Sequence, residues 1–119
     1  MNVRLTHAFT FEAAHRLPNA PEGHKCRRLH GHSFRVEITV QGSVDPKTGW
    51  FLDYGEIKQA AEPLRSRLDH QYLNEIEGLD NATSEVLCVW IWERLKPALP
   101  SLHCIAVEET CTARCEYRG

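Results

Sequence analysis

Two histidines separated by one residue, His30 and His32, have a spacing that lets both side chains point to one side of an extended strand. The apolar residues after them have the same parity, which places both imidazoles on the core side. These residues are Phe34, Val36, Ile38 and Val40. Upstream, His15 ends another alternating stretch, whose members at its parity are Val3, Leu5, Phe9, Phe11 and Ala13. Three neutral imidazoles without a fourth protein ligand are typical of a catalytic zinc site, so we predict zinc on His15, His30 and His32.

The structural alternative for each histidine is a core side chain that is hydrogen-bonded to the backbone. A His-x-His pair alone is a weak signal for a metal site. The third histidine at matching parity strengthens it, and so does Cys26, four residues before His30. Gly31 lets a ligand or backbone approach closely between the two histidines. Together these features favour a metal site.

Cys26 lies in an expected loop, residues 16–29, among the cationic side chains His24, Lys25, Arg27 and Arg28. Nearby cations favour the thiolate, so this cysteine is a candidate base or nucleophile. The alternative is an ordinary solvated basic loop with a spectator thiol. A second use of the same cations is to receive the phosphates of a substrate.

Asp69 and His70 follow the first expected helix. Neighbouring residues do not face each other on a helix, so a contact between these two side chains requires non-helical backbone. In such a contact a carboxylate can tune an imidazole that donates or accepts a proton. The alternative is a polar surface after a helix end.

Glu109 has the same parity as Ile105 and Val107, which predicts that its carboxylate points to the buried face of a strand. An unpaired buried carboxylate is costly, so it requires a donor. An arginine of the core or of a neighbouring subunit is the structural alternative to a bound ligand.

The remaining periodicity predicts two strands, two helices and a hairpin. The strands are expected near 3–14 and 32–44, and the hairpin from about 103 to 117. Asp53 with Glu56 fits a capping box before the first helix, which Pro63 either kinks or splits. Asn81 or Thr83 is expected to cap the second helix. The order ββααββ predicts an α+β fold, an antiparallel sheet with both helices on one face.

With 119 residues, the chain is expected to form one domain, residues 1–119. A net charge of −2 gives no reason to expect a nucleic-acid or membrane surface. No apolar run approaches the ~18 residues of a membrane span, and the first residues lack the apolar region of a signal peptide. Five cysteines, an odd number, favour free thiols in a reducing compartment. We therefore expect a cytoplasmic protein.

Five ordered motifs resemble the 6-pyruvoyltetrahydropterin synthase superfamily, from about Phe9 to the C-terminus. They are Phe11-Glu12-Ala13-Ala14-His15, Cys26-x3-His30-Gly31-His32, Leu68-Asp69-His70, Asn81-Ala82-Thr83-Ser84-Glu85 and Glu108-Glu109-Thr110. The short spacing from Cys26 to His30 resembles the bacterial 6-carboxytetrahydropterin synthase branch of queuosine biosynthesis. The tetrahydrobiopterin enzymes usually carry a longer one.

This resemblance implies a tunnelling fold (T-fold), whose sheets join across subunits into a barrel, with trimers stacked as homohexamers. It implies zinc on the three histidines, Cys26, Asp69 and His70 as catalytic residues, and Glu109 as the anchor of a pterin. The implied reaction turns 7,8-dihydroneopterin triphosphate into 6-carboxy-5,6,7,8-tetrahydropterin, acetaldehyde and triphosphate. No dinucleotide-binding fingerprint is present, and none is needed.

Three alternatives remain at this point. A sister enzyme would make 6-pyruvoyltetrahydropterin with the same residues. A non-catalytic zinc-binding module would use Cys26 as a fourth ligand. A scaffold protein would use the barrel only for assembly.

Overall fold

The computed structural model describes all 119 residues, and its centre is a hairpin of two long antiparallel strands. Strand β1 spans Asn2–His15 and strand β2 spans His30–Ser43. Their register sets His15 opposite His30 and Ala13 opposite His32. All three histidines therefore lie at the same end of the hairpin.

The other elements follow in chain order. They are helix α1 (Tyr54–Leu68), strand β3 (Gln71–Tyr72), helix α2 (Ser84–Leu95), strand β4 (Leu102–Thr110) and strand β5 (Ala113–Tyr117). The sheet order is β3-β1-β2-β4-β5. The predicted α+β fold is confirmed, and its four longer strands are antiparallel. The two-residue strand β3, which runs parallel to β1, was not predicted.

Both helices begin where polar caps were expected. Asp53 accepts a hydrogen bond from the backbone N–H of Gly55 at 2.9 Å, and Thr83 accepts one from Val86 at 3.1 Å. Helix α1 continues through Pro63, so the alternative of two separate pieces is wrong. None of the helices combines the length and apolar character needed to cross a membrane.

The core lies between one face of the sheet and the two helices. Phe11 of β1 stacks on Phe34 of β2 with ring centroids 4.9 Å apart. Buried residues of α1 and α2, such as Leu68 and Leu87, belong to the same cluster of 22 buried side chains. Both helices therefore cover this face, as predicted. Because side chains alternate along a strand, His15 lies at the end of this buried face.

Candidate metal centre and neighbouring active-site residues

The three histidines come together at the end of the central hairpin. One nitrogen from each ring lies within 4.8 Å of the other two, which is close enough for one ion to serve all three. The ring centroids of His15 and His30 are 4.5 Å apart, and those of His30 and His32 are 4.9 Å apart. The cross-strand register produces this group, because His15 and His30 are direct partners and His32 is two residues further along the same face.

His15 is fully buried, and its ring has a defined hydrogen-bonding state. Its Nδ1 lies 2.7 Å from the carbonyl oxygen of Ala82, which can only accept, so Nδ1 carries the proton and donates it. The other nitrogen, Nε2, is then an acceptor, and it is buried without a partner in the chain. Burial lowers the pKa of His15, which favours the neutral ring. An unpartnered buried acceptor is costly, and a metal ion would satisfy it.

His30 has the same arrangement. Its Nδ1 lies 2.7 Å from the carbonyl oxygen of Arg28, which leaves Nε2 as the free acceptor. Metal-binding histidines commonly donate their second N–H to a backbone carbonyl in this way. Neutral imidazoles with free Nε2 atoms are the donor set that zinc and similar ions use, so the residues present fit a metal ion.

Cys26 belongs to a short 3-10 helix, Lys25–Arg27, in the loop between β1 and β2. Its backbone N–H donates to Nδ1 of His24 at 3.0 Å, and its carbonyl accepts from the N–H of Leu17 at 2.7 Å. The thiol is half-buried and free, and it is not a member of the group of three close ligand atoms. The structure therefore places Cys26 in the loop that precedes His30, and it is not a fourth ligand.

The cations around Cys26 differ in their contacts. Arg27 donates to the carbonyl oxygen of Ala20 at 2.9 Å and so supports the loop. Lys25 and Arg28 form no ion pair within the chain. Their charges remain available to an anion.

Asp69 and His70 form the contact that requires non-helical backbone. Helix α1 ends at Leu68, Asp69 is extended, and His70 has a φ of 58°, in the left-handed region. This turn brings Nδ1 of His70 to 3.0 Å from Oδ2 of Asp69. The other oxygen, Oδ1, accepts from the backbone N–H of Glu12 at 2.9 Å. That N–H, together with His70 and Arg65, holds the pKa of Asp69 below its ordinary value.

The Asp69–His70 pair lies beside β1, and His70 lines the same cavity as His32 of the three-histidine group. The ring of His70 is 78% exposed and is not a member of the group of close ligand atoms. It lines a cavity of about 610 Å³ with Glu12 and Ser33, whose side chains share a 2.7 Å hydrogen bond. By strand alternation these two side chains lie on the sheet face opposite to His15. One chain therefore presents its dyad to the uncovered face.

Glu109 lies on the same face of the sheet as the histidines. Its Oε2 is 3.8 Å from Nε2 of His32, which is too long for a hydrogen bond, and its side chain is 25% exposed. It lines a cleft of about 370 Å³ with Ser84 and Glu85 of α2. The next residue back, Glu108, faces the other way and accepts from Arg114 at 2.9 Å.

Two backbone carbonyls orient the histidines, those of Ala82 and Arg28, and neither was predicted from the sequence. A carbonyl oxygen is present at every residue, so no residue type could have signalled either one. Ala82 does lie inside one of the recognised motifs, Asn81–Glu85, but the motif does not reveal the contact.

The fold and the site together define a small α+β protein with a three-histidine centre able to hold a metal ion, and with an Asp–His pair and a carboxylate nearby. Residues 4–119 match the family described as 6-pyruvoyl tetrahydropterin synthase, and the chain belongs to this family.

Individual relatives agree with this assignment. The 6-carboxy-5,6,7,8-tetrahydropterin synthase of Synechocystis is 45% identical over 115 residues, which cover 92% of this chain and 88% of that protein. The 6-pyruvoyl tetrahydrobiopterin synthase of Drosophila melanogaster is 36% identical, with coverage of 97% and 79%. The structure of the Caenorhabditis elegans 6-pyruvoyl tetrahydropterin synthase superposes with a TM-score of 0.92 at 27% identity, covering 100% of this chain and 96% of that one. The recognised superfamily and T-fold are thereby confirmed.

Proposed function

We propose that the protein is a zinc-dependent lyase of queuosine biosynthesis. It would convert 7,8-dihydroneopterin triphosphate into 6-carboxy-5,6,7,8-tetrahydropterin, acetaldehyde and triphosphate. The observation that carries this proposal is the 45% identity to the Synechocystis 6-carboxytetrahydropterin synthase over 92% of the chain. The convergence of three histidines supports the metal requirement.

His15, His30 and His32 would hold the zinc through their Nε2 atoms. Bound there, zinc would act as a Lewis acid toward the hydroxyl groups of the substrate side chain. The carbonyls of Ala82 and Arg28 keep the rings of His15 and His30 in the tautomer that leaves Nε2 free. His15 and His30, two of the three ligands, would thus be oriented already in the metal-free protein.

Cys26 and the Asp69–His70 pair would move protons. Cys26, as a thiolate, would take a proton from the substrate side chain. In the dyad, Nδ1 of His70 lies 3.0 Å from Oδ2 of Asp69, so Nε2 would be the atom that exchanges a proton with substrate. The lowered pKa of Asp69 keeps its carboxylate anionic at neutral pH, beside the imidazole of His70.

Glu109 would anchor the pterin. The amino group and ring N–H of a pterin can donate two parallel hydrogen bonds to one carboxylate. Glu109 is half-buried and has only the distant His32 as an ion-pair partner in the chain, so its oxygens are available. Its position beside His32 would set the side chain of a bound pterin near the metal.

The complete site would form between copies of the chain. The ring of His70 is 78% exposed, so a second copy packed against it would complete the site. The sheet also has two open edges, β3 and β5, that are available for pairing. We propose that the chain folds as one domain around its single cluster of 22 buried residues, and that copies assemble as a hexamer of two trimers. Five free thiols support a reducing, cytoplasmic setting.

A second candidate is the sister reaction that forms 6-pyruvoyltetrahydropterin. The Drosophila 6-pyruvoyl tetrahydrobiopterin synthase, which covers 97% of this chain, favours it. Both reactions would use the same zinc, thiolate and dyad.

Product analysis decides between the two. Purified protein loaded with zinc is incubated with dihydroneopterin triphosphate, and the pterin and carbon fragment are identified by mass spectrometry. We expect 6-carboxytetrahydropterin and acetaldehyde. A product that retains the three-carbon side chain would reject the proposal in favour of the sister reaction. Absence of any pterin product would reject both enzymes.

A further inference from the structure

The side-chain amide of Asn74 makes three hydrogen bonds, all to backbone groups of two separate segments. It lies in the 3-10 helix Leu73–Glu75 that follows β3. Its Oδ1 accepts from the N–H of Arg16 at 2.9 Å, and its Nδ2 donates to the carbonyl of Arg16 at 2.8 Å. The second proton of Nδ2 goes to the carbonyl of Asp80 at 2.9 Å. The amide therefore joins the residue after β1 to the loop before α2.

The hydrogen-bond partners of Asn74 determine which side-chain position is the oxygen and which is the nitrogen. Exchange of oxygen and nitrogen would set an NH2 group against the N–H of Arg16, and an oxygen against two carbonyl oxygens. Only a side chain with one acceptor and two donors satisfies all three partners. A carboxylate of the same shape would repel both carbonyls.

The two segments held by Asn74 also determine the position and orientation of the His15 ring. Arg16 directly follows His15 in the chain, so it determines where the ring is attached. Asp80 is two residues before Ala82, whose carbonyl takes the Nδ1 proton of His15 at 2.7 Å. The direction in which the unpartnered Nε2 of His15 points depends on both the backbone at Arg16 and the carbonyl of Ala82.

We propose that Asn74 is a positioning residue for the metal ligand His15, acting through the backbone at Arg16 and Asp80 and touching neither metal nor substrate. This inference rests on the three-histidine metal centre of the proposed function. It adds a residue that none of the five recognised motifs contains. Loss of a group that hydrogen-bonds a metal ligand directly typically weakens metal binding about 10- to 100-fold, and Asn74 acts one contact further out.

Zinc affinity measures this role directly. The metal-free protein is titrated with zinc in competition with a chromophoric chelator, for wild type, Asn74→Ala and Asn74→Asp. We expect about 10-fold weaker binding in both variants, the lower end of the range for direct partners of a ligand. Asn74→Gln keeps the amide but displaces it by one methylene, and it serves as the milder variant if the others fold poorly. Unchanged affinity in the folded variants would overturn the proposal.

Asp53→Ala is the matched control, because it removes a side chain-to-backbone hydrogen bond at the start of α1, outside the metal site. It is expected to lower the melting temperature without changing zinc affinity. An equal loss of affinity in this control would overturn the proposal, since general destabilisation would then account for the effect.

A second readout needs no metal. In 15N NMR of the metal-free protein, the Nδ1–H signal of His15 is expected to be protected from exchange in wild type and to exchange faster in Asn74→Ala. An unchanged signal would also overturn the proposal.

The outcome of these experiments is separable from that of the proposed function. A protein that forms no pterin product but loses zinc affinity in Asn74→Ala would retain this inference alone. Normal turnover with unchanged zinc affinity in the variant would retain the function alone.

Discussion

The carboxylate of Asp69 and the imidazole of His70 are 3.0 Å apart although the two residues are neighbours in the chain. The left-handed backbone at His70, with φ of 58°, makes this contact possible. Histidine adopts this region more readily than most residues, but it still costs free energy that the fold must supply. Two hydrogen bonds with the backbone of Glu12 hold the turn: its N–H donates to Oδ1 of Asp69, and its carbonyl accepts from the N–H of His70. This strained backbone is the observation behind the proton-transfer role that we propose for the pair.

His70→Asn tests this role with little change in structure, because asparagine also tolerates a left-handed backbone. We expect turnover to fall about 10²- to 10⁴-fold, the usual contribution of one proton-transfer group. Zinc content should not change, since His70 is outside the three-histidine group. Steady-state kinetics and metal analysis check both points. Retained turnover would remove His70 from the mechanism.

The stability of the protein should depend on the charge of Asp69 at acid pH. The pKa of this carboxyl is lower in the folded protein than its ordinary value of 3.8, so the unfolded chain binds the proton more tightly. The stabilisation is therefore complete above pH 3.8 and is lost as the pH falls through the folded value. Denaturant unfolding should show wild type more stable than Asp69→Asn at neutral pH, and the difference should shrink at acid pH. A constant difference would contradict the assignment.

Cys26→Ala separates an enzyme from a closed zinc-binding module. Since the thiol is not among the close ligand atoms, we expect the variant to bind zinc as wild type does and to lose at least 10²-fold in turnover. Cys111→Ala, at an exposed free thiol, is the control and should retain both properties. Release of zinc from Cys26→Ala would show that sulfur closes the site.

Glu109→Gln should weaken pterin binding. A hydrogen bond to a charged group contributes about 1.5–3 kcal/mol, so the dissociation constant for a pterin should rise about 10- to 100-fold. Glu108→Gln is the matched control, because the neighbouring side chain points to the opposite face and pairs with Arg114. Fluorescence titration with a pterin measures both variants. Equal affinity in the two would argue against Glu109 as the anchor.

Charge reversal at Lys25 or Arg28 should weaken binding of the triphosphate. Neither cation has an acidic partner in the chain, and both flank Cys26 in the same loop, so we expect a higher Michaelis constant. The effect should shrink at high salt, because screening weakens exposed charges. Lys58→Glu on α1 is the control. An unchanged Michaelis constant in both loop variants would show that the phosphates bind elsewhere.

The sequence alone determined which residues share a face and where the main elements begin. Side-chain alternation is a local property with a period of two, so the parity of His15, His30 and His32 could be read without a structure. The cap at Asp53 is local for the same reason, whereas for the second helix the sequence left Asn81 and Thr83 as alternatives and the structure shows Thr83. For Asp69 and His70, the sequence predicted only that a contact between the two side chains would require non-helical backbone.

Only the tertiary structure decided what orients those residues. The bond from His15 to Ala82 joins positions 67 residues apart, and the amide of Asn74 bonds to Arg16 across 58. Such contacts depend on how the strand end, β3 and the loop before α2 pack together, and on backbone atoms that every residue shares. Periodicity and composition predict neither this packing nor these backbone contacts, so the orientation of His15 could be determined only from the folded structure.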